Sequence, residues 1–88
     1  MKFGVYCVRD IKAGFQTPAV QINDAVAIRG FASAVVQSDS VLFTHARDFA
    51  LYKLADFDSD TGRITPLDLP VELMQASDAL MMKGDSNG

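Results

Sequence analysis

One cysteine excludes an intramolecular disulfide, and Cys7 with the lone His45 falls short of the four ligands of an ordinary zinc site. A reducing cytoplasm suits such a chain. No apolar run approaches the roughly 20 residues of a membrane-spanning helix, and Arg9 interrupts the N-terminal apolar stretch too early for a signal-peptide core. The protein is expected to stay where it is made, with no membrane partner. Basic residues are not in excess: eight Lys and Arg against eleven Asp and Glu leave a net charge of -3. That balance argues against coating nucleic acid by bulk electrostatics, which needs many cationic contacts. Internal repeats, a Gly-rich phosphate loop and a nucleophile motif are also missing.

What remains reads as one small folding unit. Eighty-eight residues, 49% hydrophobic and 22% charged, match the averages of globular domains and leave room for a single core. Charge is uneven along the chain. Residues 1–53 carry a net +2 and residues 54–88 a net -5, so an anionic partner should meet the first part and avoid the last.

Residues 2–9 have strand composition, with Phe3, Val5 and Cys7 on one face and Lys2, Tyr6 and Val8 on the other. After a turn at residues 10–14, Phe15 to Ile22 predicts a second strand. Pro18 interrupts it and confines it to a sheet edge, where a second copy could pair as a homodimer. Asn23 or Asp24 caps a helix running to about Gln37, striped by Ile28, Phe31, Ala32 and Val35. Gly30 inside it marks either a close approach to the sheet or a tolerated imperfection, and Gln37-Ser38-Asp39-Ser40 ends it. Thr44 is a candidate cap for a single helical turn before the next strand. Residues 50–57, DSDTG and RITPL then form a hairpin, and Val71 onward predicts a C-terminal helix. The expected fold is α+β: a small antiparallel sheet, ββαββ with a C-terminal helix, one face covered by helix 24–37. Residues 1–82 make the domain and 83–88 a flexible tail.

Asp56, Asp58 and Asp60 imitate a calcium loop, but Thr61 separates the last of them from Gly62, and Leu67 stands where a bidentate glutamate belongs. A polar hairpin turn is the better reading. His45 beside Thr44, Arg47 and Asp48 lacks the partners of a catalytic constellation, and Cys7 reads as a small apolar strand residue. The chain is expected not to be an enzyme and to need no cofactor and no metal. More informative are the aromatics Tyr6, Phe15 and Tyr52 accompanied by Lys2, Arg9, Lys12 and Lys53 on predicted strands and turns. Rings that stack on bases and cations that meet phosphates are how single-stranded DNA is held. Contact of that kind would weaken steeply with salt and depend on Arg9 and Lys12.

Three segments in order, MKFGVYCVRDIKAGFQTP, NDAVAIRGFASAV and FTHARDFALYKLADFDSDTGRI, resemble the small nonstructural protein of gokushovirus-type microviruses, which are phages with single-stranded DNA genomes. The shared elements are the strand start Lys2 to Val5, His45 to Phe49, Leu51 to Leu54 and the Phe57 to Gly62 hairpin. The resemblance covers residues 1–70; Ala46 departs from it, where proline often follows the histidine. It implies a protein made during infection, in the host cytoplasm, acting in genome replication near single-stranded DNA synthesis and packaging. Two mechanisms stay open. One is direct contact with single-stranded viral DNA. The other is a protein-protein interaction with the replication initiator, a host replication factor or the procapsid, through the edge strand or the C-terminal helix.

Overall fold

The computed structural model describes residues 1–37 and 41–87, with side chains through Met81. In chain order the elements are β1 (Lys2–Asp10), β2 (Gly14–Phe15), β3 (Ala19–Gln21), α1 (Asp24–Val35), α2 (Val41–Thr44), a 3-10 turn (Ala46–Asp48), β4 (Phe49–Asp58), β5 (Arg63–Gln75) and α3 (Ala76–Asn87). The five strands form one antiparallel sheet. β1 pairs with β4 along its length and β4 with β5, while β2 and β3 share the outer edge of β1. This is the expected small α+β sheet with a C-terminal helix.

The strand interrupted at Pro18 does lie at the edge, divided into β2 and β3 with residues 16–18 between them. Helix α1 begins where its cap dictates: Asn23 Oδ1 accepts a hydrogen bond from the Val26 N–H at 2.9 Å. Its stripe points Ala27, Phe31 and Val35 into the core, with Ile28 and Ala32 packed beside them. Burial of one such large side chain stabilises the fold by roughly 1.5–3 kcal/mol. On the sheet, Tyr6, Phe49 and Leu51 meet that stripe, and α3 closes the cluster with Ala76 and Ala79. The helices therefore lie on one side of the sheet, giving two layers.

Four local expectations are corrected. The helix expected from Val71 begins at Ala76, because Val71 to Gln75 continues β5 and pairs with Lys53 to Ala50. Ladder hydrogen bonds and the burial of Leu73 and Met74 against the core outweigh a weak helical period. Gly30 does not approach the sheet: it is exposed, and a Cβ there would meet nothing within 4 Å. Thr44 closes α2, its hydroxyl donating back to the Val41 carbonyl at 3.4 Å, and does not cap the 3-10 turn, which His45 precedes without a side-chain cap. Residues 53 and 55 of β4 span the register that 71 and 66 span on β5, so RITPL is followed by a bulge and not by a loop into a helix. The helix-ending role assigned to Ser38-Asp39-Ser40 lies outside the described residues. No helix among the described residues is long and apolar enough to cross a membrane.

Two glycines have structural reasons. Gly62 takes a positive φ of 76° in the β4–β5 turn. Gly4 is buried, and the Tyr6 phenol ring lies where its Cβ would be. We expect Gly30→Ala to raise unfolding free energy by roughly 0.5–1 kcal/mol through helix propensity. Gly4→Ala should destabilise, because the Tyr6 ring must move. Urea unfolding of both variants against wild type measures the two opposite shifts.

Candidate nucleic-acid interface

Side chains of directly paired residues share a sheet face, so the register sorts β1 and β4 completely. Tyr6 opposite Lys53, Val8 opposite Leu51 and Asp10 opposite Phe49 belong to the face that the helices cover. Phe3 opposite Phe57, Val5 opposite Ala55, Cys7 opposite Tyr52 and Arg9 opposite Ala50 belong to the other. A register shift between Val5 and Tyr6 takes up one extra β4 residue, Leu54, so both ends of the strand pair keep this division. β2 and β3 add Phe15 and Val20 to the uncovered face, through Arg9 and Val5, and β5 adds Ile64 and Glu72.

That face carries two aromatic pairs. Phe3 and Phe57 stack with centroids 6.4 Å apart and planes at 21°. Phe15 and Tyr52 meet edge to face, 5.4 Å apart at 79°, across β1, which offers only the small Cys7 at that level. Cys7 and Tyr52 lie four β1 positions from Phe3 and Phe57, so the two pairs are separated by about 13 Å along the strand. Arg9 extends over Phe15, its guanidinium carbon 5.9 Å from the ring centroid. The Tyr52 hydroxyl is 3.4 Å from Glu72 Oε1. Phe15 is 45% exposed and Ile64 62%, a surface that no described helix shields.

The seven residues singled out from the sequence therefore separate. Arg9, Phe15 and Tyr52 come together on the uncovered face, with Lys12 exposed in the adjoining turn. Lys2 is exposed at the far end of β1, paired with Asp58 on the helix-covered face. Tyr6 is corrected: its ring is buried at 3% exposure and offers no face to a base. Lys53 is likewise on the covered side, its Nζ 3.1 Å from Asp56 and 3.7 Å from Asp24. Phe3 and Phe57 were missed, although period-two alternation from Phe3 through Cys7 to Arg9 would have grouped Phe3 with the interface.

Behind the sheet, Tyr6, Asp24, Lys53 and Asp56 form a polar junction between α1 and the strands. The Tyr6 hydroxyl donates to Asp24 Oδ1 at 2.5 Å. Burial first, then that hydrogen bond, pushes the phenol well above the ordinary tyrosine range. The hydrogen bond to Asp56 leads in raising the Lys53 ammonium, against the opposing effect of burial. Cys7, buried, donates its thiol to the Gln16 carbonyl at 3.0 Å, and burial pushes its pKa up. In the β4–β5 turn the carboxylates are used locally: Asp58 accepts from the Asp60 N–H at 2.9 Å, and Asp58 and Asp60 both pair with the Met1 amine. The Asp60 N–H, then the Met1 amine, hold the Asp58 carboxyl below its usual value. His45 Nδ1 lies 2.9 Å from Thr44 Oγ1. No group of three metal-binding side chains occurs among the described residues.

A family model described as phage ORF5 protein matches residues 3–79. The chain belongs to the phage ORF5 protein family. It is a phage protein, and the ORF5 match runs from β1 into α3, so it includes both aromatic pairs and the Tyr6 junction. No curated protein and no solved structure matches this ORF5 chain.

The junction makes a pH prediction. A phenol whose folded pKa lies above its unfolded value of about 10 stabilises fully below that pH, and the contribution is lost as pH rises toward the folded value. The raised Lys53 acts in the same sense. We expect Tyr6→Phe to cost about 1 kcal/mol at neutral pH, the worth of one hydrogen bond, and to lessen the loss of stability between pH 8 and 11. Urea midpoints of both proteins across that range provide the check.

Proposed function

We propose that this ORF5 protein is a non-enzymatic nonstructural protein of a gokushovirus-type microvirus. In this reading it acts in the host cytoplasm during genome replication, at single-stranded DNA synthesis or packaging, and it contacts single-stranded DNA with the uncovered sheet face. The observation that carries the reading is the pair of aromatic clusters on that face. Apolar rings on a sheet that no described helix shields cost free energy in water, and rings on adjacent strands are suited to receive unstacked bases, whose π-faces are alike whatever the sequence. Arg9 beside Phe15 supplies a phosphate partner at the same place.

The arrangement revises the expected salt dependence. Among the described residues, only Arg9 and Lys12 are cations at or beside the face, Lys53 being held by two carboxylates behind it. With about two phosphates neutralised, the logarithm of affinity should fall with a slope of roughly -1.4 per logarithm of salt, shallow for a nucleic-acid binder. Stacking then carries most of the affinity.

A second reading rests on Val5, Val20 and Ile64, which continue the face as plain aliphatic surface. They favour a protein partner, such as the replication initiator, a host replication factor or the procapsid, and they also suit a second copy pairing along the β3 edge.

Fluorescence anisotropy of a labelled single-stranded oligonucleotide distinguishes the readings. DNA contact predicts saturable binding with the shallow slope given above. Phe15→Ala and Tyr52→Ala should each weaken it by about 1–3 kcal/mol, while Tyr52→Phe retains most of it. Folded protein that leaves the anisotropy unchanged at low salt excludes the DNA reading and leaves the protein partner.

A further inference from the structure

Between Ala55 opposite Pro66 and Lys53 opposite Val71, β4 advances by one intervening residue and β5 by four, Leu67 to Pro70. The surplus leaves the ladder as a bulge at the outer edge of the sheet, bounded by Pro66 and Pro70. Proline fixes φ and lacks an N–H, so the two rings stiffen the bulge and discourage backbone pairing with another strand. At its crest Leu69 is 76% exposed, the most exposed large apolar side chain among the described residues. No described residue covers it. A stiff bulge that presents a leucine to solvent has the form of a knob.

A hole of fitting size lies at the other edge of the same sheet. A groove of about 200 Å³ opens between α1 and β3. Its floor is apolar, with Val8, Phe31 and Leu51, and its mouth lies between Ala19 and Gly30, both exposed. An apolar cavity of roughly 150 Å³ takes a benzene-sized group, so a leucine side chain has room. Gly30 leaves open space where any other residue would place a Cβ. Charge matches as well: Arg29 stands exposed beside Gly30, and Asp68 stands exposed beside Leu69. Among the described residues neither of these two charges has an ion-pair partner.

We propose that copies of this chain associate head to tail, Leu69 of one copy seated in the α1–β3 groove of the next with Asp68 of the first facing Arg29 of the second. The contact joins two different surfaces, so a joined pair still has one knob and one groove unused, and association continues into open chains. It uses neither aromatic pair and is independent of whether the uncovered face meets DNA.

Sedimentation velocity from micromolar to millimolar protein tests it with two surface variants, each checked for native circular dichroism. Leu69→Asp removes the knob, and Gly30→Leu fills the groove from its own wall. Wild type should grow in mass with concentration beyond a dimer, and each variant alone should sediment as a monomer. An equimolar mixture of the two should reach the dimer and stop, because only one productive knob-and-groove pair remains between them. A wild type that stays monomeric at millimolar concentration overturns the proposal. So does association unchanged in either variant, or a mixture that stays monomeric while wild type associates.

Discussion

β1 and β4 pair from Lys2 opposite Asp58 to Asp10 opposite Phe49, and nearly every other feature is attached to that two-strand frame. On its inner face the frame supplies Tyr6, Phe49 and Leu51, onto which α1 and α3 pack. On its outer face it supplies Phe3, Tyr52 and Phe57. The edge strands β2, β3 and β5 are held to it by hydrogen bonds, and the register shift at Leu54 lets the two long strands bend together without exchanging their faces. A slip of one residue would put Phe3 and Cys7 under α1 and turn Tyr6 outward, losing the Asp24 hydrogen bond and stranding Lys53 from Asp24 and Asp56. The polar junction thus fixes register as well as joining helix to sheet.

The same frame explains how an acidic protein can keep one sheet face nearly free of carboxylates. Carboxylates Asp24 and Asp56 lie behind the sheet and occupy Lys53, while Asp58 and Asp60 gather at the β4–β5 turn. Little acidic charge remains on the open face beyond Glu72. Net charge is a property of the whole chain, whereas a ligand meets one face of it.

Much of this was legible in the residues. Strand periodicity placed β1, its two faces and the β4–β5 hairpin, and an Asn cap with a 3.6-residue stripe placed α1. The continuation of β5 through Gln75 was hidden because Val71 onward carries a weak helical period, and only pairing with β4 shows that the strand resumes there. The candidate site was half legible. Alternation assigned Tyr6 and Phe3 to opposite faces, but both faces of β1 are apolar, and which of them the helices cover depends on tertiary packing that no local pattern records. Tyr6 was therefore assigned to the surface and Phe3 left unassigned. Lys53 counted as available charge because its partners Asp24 and Asp56 meet it only once α1 docks.

The Tyr6 ring over Gly4 ties two positions of β1 into one unit of variation. A side chain at position 4 needs a smaller residue at position 6, and a smaller residue at 6 leaves Asp24 and Lys53 with a different polar balance at the start of α1. Substitutions along this part of the strand are therefore expected to travel in company, through a route from the strand backbone to the helix cap. Within the ORF5 family, the pairing of residue types at positions 4, 6 and 24 would be a lineage marker written by sterics and not by contact with any ligand.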